Sequence, residues 1–193
     1  MTNGNIKNSN YDRNKAKEYI DKYWSSYNPA YPSFKGGGGD CANFVSQILY
    51  AGGMRWQNES NPQNYIKADA WYCKPDATNK DGDRRISFTW KVAASFKNHW
   101  VSRAAKHLIM TNKEAKENMN DIVIQMSIAD VVQLCYADGK PWHTLAVTDI
   151  AFTFGRKDII LASHTYNSNS RSLNNTLATL SSDYKIRFYI IKI

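Results

Sequence analysis

The sequence predicts an α+β fold, and three observations carry that prediction. Apolar residues recur at helical spacing near the start of the chain, runs rich in β-branched and aromatic residues follow one another in the C-terminal half, and turn signals rather than linkers separate them. Helices first and strands afterwards pack as a helical layer on an antiparallel sheet. At 193 residues, with 42% hydrophobic and 13% aromatic residues, the chain has the length and composition for one domain with a full core. Residues 1–193 are read as that single domain, with residues 1–10 a disordered tail.

The elements follow in order. Asp12 precedes Ala16, Tyr19, Ile20, Tyr23 and Trp24, the pattern of a capped amphipathic helix over about residues 12–25. The prolines and four successive glycines of YNPAYPSFKGGGG, residues 27–39, make a loop. A second helix runs from Asp40, a suitable N-cap, through Cys41, Phe44, Val45, Ile48 and Leu49 on one stripe, and stops at Gly52-Gly53. Residues 54–86 are polar and irregular, a long excursion from the core. Within it Asp81 and Asp83 match only part of a calcium loop and lack its terminal Glu, which argues against a metal site. Thr89 opens a further helix with Val92, Ala93, Phe96 and Trp100 on one face, and His99 and His107 are expected as surface residues at or after its end. Strands are expected at 121–126, 130–136, 143–152, 158–165 and 185–193, with turns at 137–141 and 153–158.

Formal net charge is +8, spread along the chain rather than gathered in a block, which favours a generally anionic partner over a defined nucleic-acid stripe. Cys41, Cys73 and Cys135 lie far apart with no metal-ligand spacing, so neither a metal site nor a disulfide framework is expected, although one Cys73–Cys135 bridge is compatible with the spacing. The opening MTNGNIKNSN has no apolar segment of a signal peptide and no run is long enough to span a membrane, which predicts a chain without export signal or membrane span, delivered to its site of action by lysis or a dedicated route, or else cytoplasmic. No cofactor is expected.

Cys41 stands out because a thiol in the first turn of a helix meets the positive end of the helix dipole, which favours the thiolate. The alternative from position alone is a small buried hydrophobe. A thiol nucleophile needs an imidazole base and a group to orient it. If residues 143–152 and 158–165 pair as a hairpin about its 153–154 midpoint, His143 and His164 lie together at the open end, as base and orienter or as two surface histidines beside turns.

DCANFVSQILYAGG at 40–53, SFTWKVAASF at 87–96, DVVQLCY at 130–136, WHTLAVT at 142–148 and SHTYN at 163–167 resemble the putative amidase domain family of Gram-positive bacteria, a group placed with the papain-like NlpC/P60 and CHAP cysteine hydrolases. The resemblance covers most of residues 11–170. It implies a papain-like fold and a cysteine amidase or peptidase in which Cys41 is nucleophile, His143 general base and His164 the orienting residue, with Asn167 the competitor for that third place. It also implies peptidoglycan or another peptide amide as substrate, near anionic wall polymers, or alternatively a deamidase, acyl transferase or processing peptidase acting on one protein. A binding module on the same scaffold is the non-enzymatic alternative. Two departures stand out, Trp142 where the family has a polar residue and Ala129 where it has glycine. Asp40, Tyr27, Asn28, Tyr31 and Trp142 are the candidates for the oxyanion hole and substrate groove.

Overall fold

Helix α1, Arg13–Tyr23, begins where Asp12 accepts hydrogen bonds from the Asn14 and Lys15 amides, and it buries Ala16 and Ile20 against helix α2, Cys41–Ala51. The computed structural model describes residues 10–192 apart from residue 154, so the expected tail at 1–10 lies, Asn10 excepted, outside the described residues. Cys41 through Leu49 of α2 are all buried. A helix enclosed on every side is stable only if its polar side chains find partners, and these do. Asn43 Oδ1 accepts from Trp90 Nε1 at 2.9 Å, Ser46 Oγ donates to the Trp90 carbonyl at 2.9 Å, and Gln47 Oε1 accepts from Tyr19 Oη at 2.6 Å. The helix ends at Gly52, and Gly53 takes the left-handed φ of +98° that closes such an end.

The expected third helix is two, α3 (Phe88–Lys91) and α4 (Ala93–Arg103), broken at Val92, whose φ of −115° and ψ of 122° are extended. His99 lies inside α4 and is buried, where a surface position was expected, with Nδ1 2.9 Å from the Ala68 carbonyl and Nε2 beside Arg103. Trp71, Trp90 and Trp100 pack face and edge around it in the main core. The excursion at 54–86 carries a 3-10 turn, Pro62–Ile66, and returns to the body through isolated bridges Gln57–Trp71 and Cys73–Ile86.

The sheet has six strands, all neighbours antiparallel. They are β1 (Lys106–Thr111), β2 (Val131–Cys135), β3 (Pro141–Thr153), β4 (Arg156–Ser163), β5 (Ser168–Ser172) and β6 (Lys185–Ile190), in the order β1-β6-β2-β3-β4-β5. The run expected as a strand at 121–126 is instead helix α6 (Met119–Gln125), which follows helix α5 (Asn112–Glu117); helix α7 (Leu173–Thr179) follows β5. A short apolar run without flanking turn residues fits either period, and here Met119, Ile122 and Val123 take the i, i+3, i+4 face.

One face of the sheet packs on α1, α2 and α4, the other on α5, α6 and α7. Strand β3 shows the division: Ala146 joins the core on the α2 side, while Leu145 and Val147 join the opposite core. Ala129, before β2, holds a φ of +63°, the conformation for which glycine is the usual residue. Cys41, Cys73 and Cys135 are free thiols, so no Cys73–Cys135 bridge forms. Among the described residues no helix is long and apolar enough to cross a membrane.

Candidate active site

Cys41 is the first residue of α2 and lines a groove of about 520 Å³ with the glycine arm Gly37–Gly39, Lys91 and Trp142. That volume suits a short peptide. Burial pushes the Cys41 thiol above the usual cysteine range, while the Thr144 backbone, the Ala42 amide and the Thr144 hydroxyl pull the other way. Desolvation thus opposes the stabilisation that the helix terminus offers the thiolate.

The carboxylate beside it is committed elsewhere. Asp40 is 1% exposed and makes no side-chain cap to its own helix, contrary to the role its position implies. Its Oδ2 meets His164 Nδ1 at 2.7 Å, and its Oδ1 accepts from the Phe34 amide at 2.8 Å and Asn43 Nδ2 at 2.9 Å. His164 Nε2 lies 2.8 Å from the Tyr23 carbonyl. A carbonyl only accepts, so Nε2 carries a proton. The ring stacks on Phe44 at 3.8 Å with Tyr27 at 4.5 Å. Thr165 and Tyr166 follow with φ of +63° and +65°, a strained turn held where Thr165 Oγ1 accepts the Asp40 amide at 2.8 Å.

His143 precedes Thr144 on β3, beside the bulge between Leu134 and Cys135, and pairs across to Leu134. Thr144 takes the α2 side, where Gln133 Nε2 donates to its hydroxyl at 2.9 Å and Cys41 adjoins it. Burial first and the Arg171 charge second push His143 down to about 4, and its Nε2 has no hydrogen-bond partner. The structure therefore brings Asp40, Cys41 and His164 together at the start of α2, with Thr144 against Cys41 and His143 next to Thr144 in the chain; the two ring nitrogens of His164 are engaged by Asp40 and the Tyr23 carbonyl.

The remaining expected residues divide. Trp142 is 36% exposed and lines the groove, its ring parallel to that of His143. Asn167 hydrogen-bonds Tyr27, not an imidazole. Asn28 gives Nδ2 to Tyr19 Oη at 3.1 Å and accepts the Ala30 amide, and Tyr31 stacks on Trp90 at 6.0 Å. Neither Asn28 nor Tyr31 lines the groove with Cys41, and both act as loop supports. Thr144, Thr165 and Asn43 were missed as site residues; only the strand alternation in WHTLAVT carried a signal for Thr144, through small Ala146 on its face.

These features define a mixed α/β protein with a helix-borne cysteine facing a six-stranded antiparallel sheet. The profile of the putative amidase domain family matches residues 10–191, and the chain belongs to that family, whose description suggests hydrolase activity. It is also 31% identical over 164 residues to the uncharacterized protein YhbB of Bacillus subtilis (strain 168), a match covering 83% of this chain and 43% of that protein. The chain thus spans under half the length of that curated relative. No solved structure matches it.

Proposed function

We propose that the chain is a thiol amidase whose nucleophile is Cys41 and whose substrate is a peptide amide of the bacterial cell wall. The observation that carries this reading is the seat of Cys41, at the amino end of a buried helix and open to a groove, in a chain of an amidase family. The same packing of a cysteine helix on an antiparallel sheet supports a papain-like relationship. In the reaction Sγ bonds to the carbonyl carbon while the free amides of the first turn of α2 hold the oxyanion. The C–N bond breaks, and the Sγ proton passes through the Thr144 hydroxyl to the departing amine, since a hydroxyl both accepts and donates. Water then attacks the thioester, releasing a carboxylic acid and restoring the thiol. Without an imidazole base this runs about a hundredfold or more below a cysteine–histidine dyad. The charge of +8 supports an anionic wall polymer as the surrounding matrix.

A second reading, a module that binds such amides without turning them over, is favoured by His143 Nε2 having no hydrogen-bond partner. Incubation of Gram-positive peptidoglycan with wild type and Cys41→Ala, with new amino groups counted and fragment masses read, separates the two. Amines from wild type alone support the amidase; retention on the wall without release supports the binding module.

A further inference from the structure

Lys91 closes helix α3 at the edge of the groove that Cys41 lines. Its ammonium lies 5.4 Å from the centroids of two rings, Phe34 and Phe88, which clamp it in place. No carboxylate of a described residue forms an ion pair with it. Asp83 and Asp81 are the acidic groups that act on it; Asp83 is spent on the Thr78 and Arg85 amides, and Asp81 is exposed in the lining of the groove. Lys140 adds a second cation to the lining, so the groove carries more positive than negative charge. Trp142 and Tyr136 also line it, and at 36% and 46% exposed with centroids 6.3 Å apart they offer rings to a ligand's apolar part.

A half-buried ammonium that forms no ion pair with a described residue is a position that a ligand anion completes, because desolvation has already weakened its hold on water. We infer that Lys91 is the specificity residue of this groove and that it binds a carboxylate carried beside the amide that reaches Cys41, so the substrate class is an acidic peptide rather than a neutral one. The ring clamp fixes the ammonium before binding, which reduces the entropy cost of forming the pair. This rests on the groove being the substrate site of the proposed amidase.

The test uses full-length ¹⁵N-labelled Cys41→Ala protein, which holds ligand without cleaving it. It is titrated with a blocked Ala-Glu dipeptide and its isosteric Ala-Gln counterpart, following the Trp142 indole and the Gly37 to Gly39 amides. The acidic peptide is expected to bind about tenfold tighter or more. Adding Lys91→Met, which keeps an apolar stem between the rings, is expected to bring the two affinities together with the spectrum otherwise unchanged. Equal affinities, no shift with either peptide, or a preference that survives Lys91→Met overturns the inference. Amine release from peptidoglycan is scored separately: release without acid preference removes the role of Lys91 and leaves the amidase standing, and acid preference without release does the reverse.

Discussion

Asp40 and His164, 124 residues apart in sequence, meet at 2.7 Å in a pocket where each is 1% exposed. Through this pair the start of α2, the end of β4 and, by way of the Tyr23 carbonyl, the end of α1 are fastened together. His164, expected as the orienting residue, thereby holds Asp40 and the first turn of α2 in place.

Removing one member leaves a buried polar atom of the other without its partner. His164→Ala is expected to lower unfolding free energy by about 1–3 kcal/mol, and Asp40→Asn/His164→Gln to recover part of that loss. Urea denaturation of the three proteins checks it; a His164→Ala protein within about 0.5 kcal/mol of wild type would rule out the buried pair.

His143 and His99 are both held at about 4 by burial, against an ordinary histidine value of 6.5. A folded value below the unfolded one means that the unfolded chain binds protons first, so stability is full above about pH 6.5 and falls as pH drops towards 4. Each contributes up to roughly 3 kcal/mol over that window. His143→Leu is expected to flatten the decline measured by denaturant midpoint between these pH values, and to leave the alkylation rate of Cys41 unchanged.

That expectation marks where the sequence was legible and where it was not. The stripe from Cys41 to Leu49 with its terminal glycines specified α2 nearly to the residue, because a long periodic segment with both ends marked has few alternatives. The β3–β4 hairpin was legible as well, but its register was not. The turn falls one residue later than symmetry suggested, with Thr153 paired to Arg156, and a bulge between Val147 and Asp149 takes back only part of the slip. Ala146 consequently faces Ala162, so position 144 rather than 143 lies level with His164. A one-residue shift exchanges the faces of a strand, and Thr144 is the residue whose backbone and hydroxyl meet Cys41. The Asp40–His164 bond was hidden for another reason: Asp40 looked sufficient as a cap, and nothing local revealed that a residue in the second half of the chain would claim its carboxylate.

Burial holds the Cys41 thiol above its ordinary range, pushes Cys73 up to about 12 and raises Cys135 too. Iodoacetamide labelling at neutral pH is therefore expected to be slow at all three, with Cys41 first because it alone lines the groove, and to rise about tenfold per pH unit to beyond pH 9. Rapid labelling of Cys41 at pH 6 would show a thiolate and contradict this.

Thr144→His puts an imidazole on the Cys41 face of β3. Amide turnover is expected to rise about a hundredfold with a new pH dependence near neutrality, whereas Thr144→Val, which cannot relay a proton, is expected to lose activity. Steady-state rates on isolated wall peptides measure both; equal rates for Thr144→Val and wild type would remove Thr144 from the reaction.

The most direct measurement is amine release from purified Gram-positive peptidoglycan by wild type, Cys41→Ala and His143→Leu under one set of conditions. Slow release by wild type and His143→Leu together, with none from Cys41→Ala, is the predicted result. Release by Cys41→Ala at the wild-type rate, or its loss in a folded His143→Leu protein, would contradict an amidase that works from Cys41 without His143.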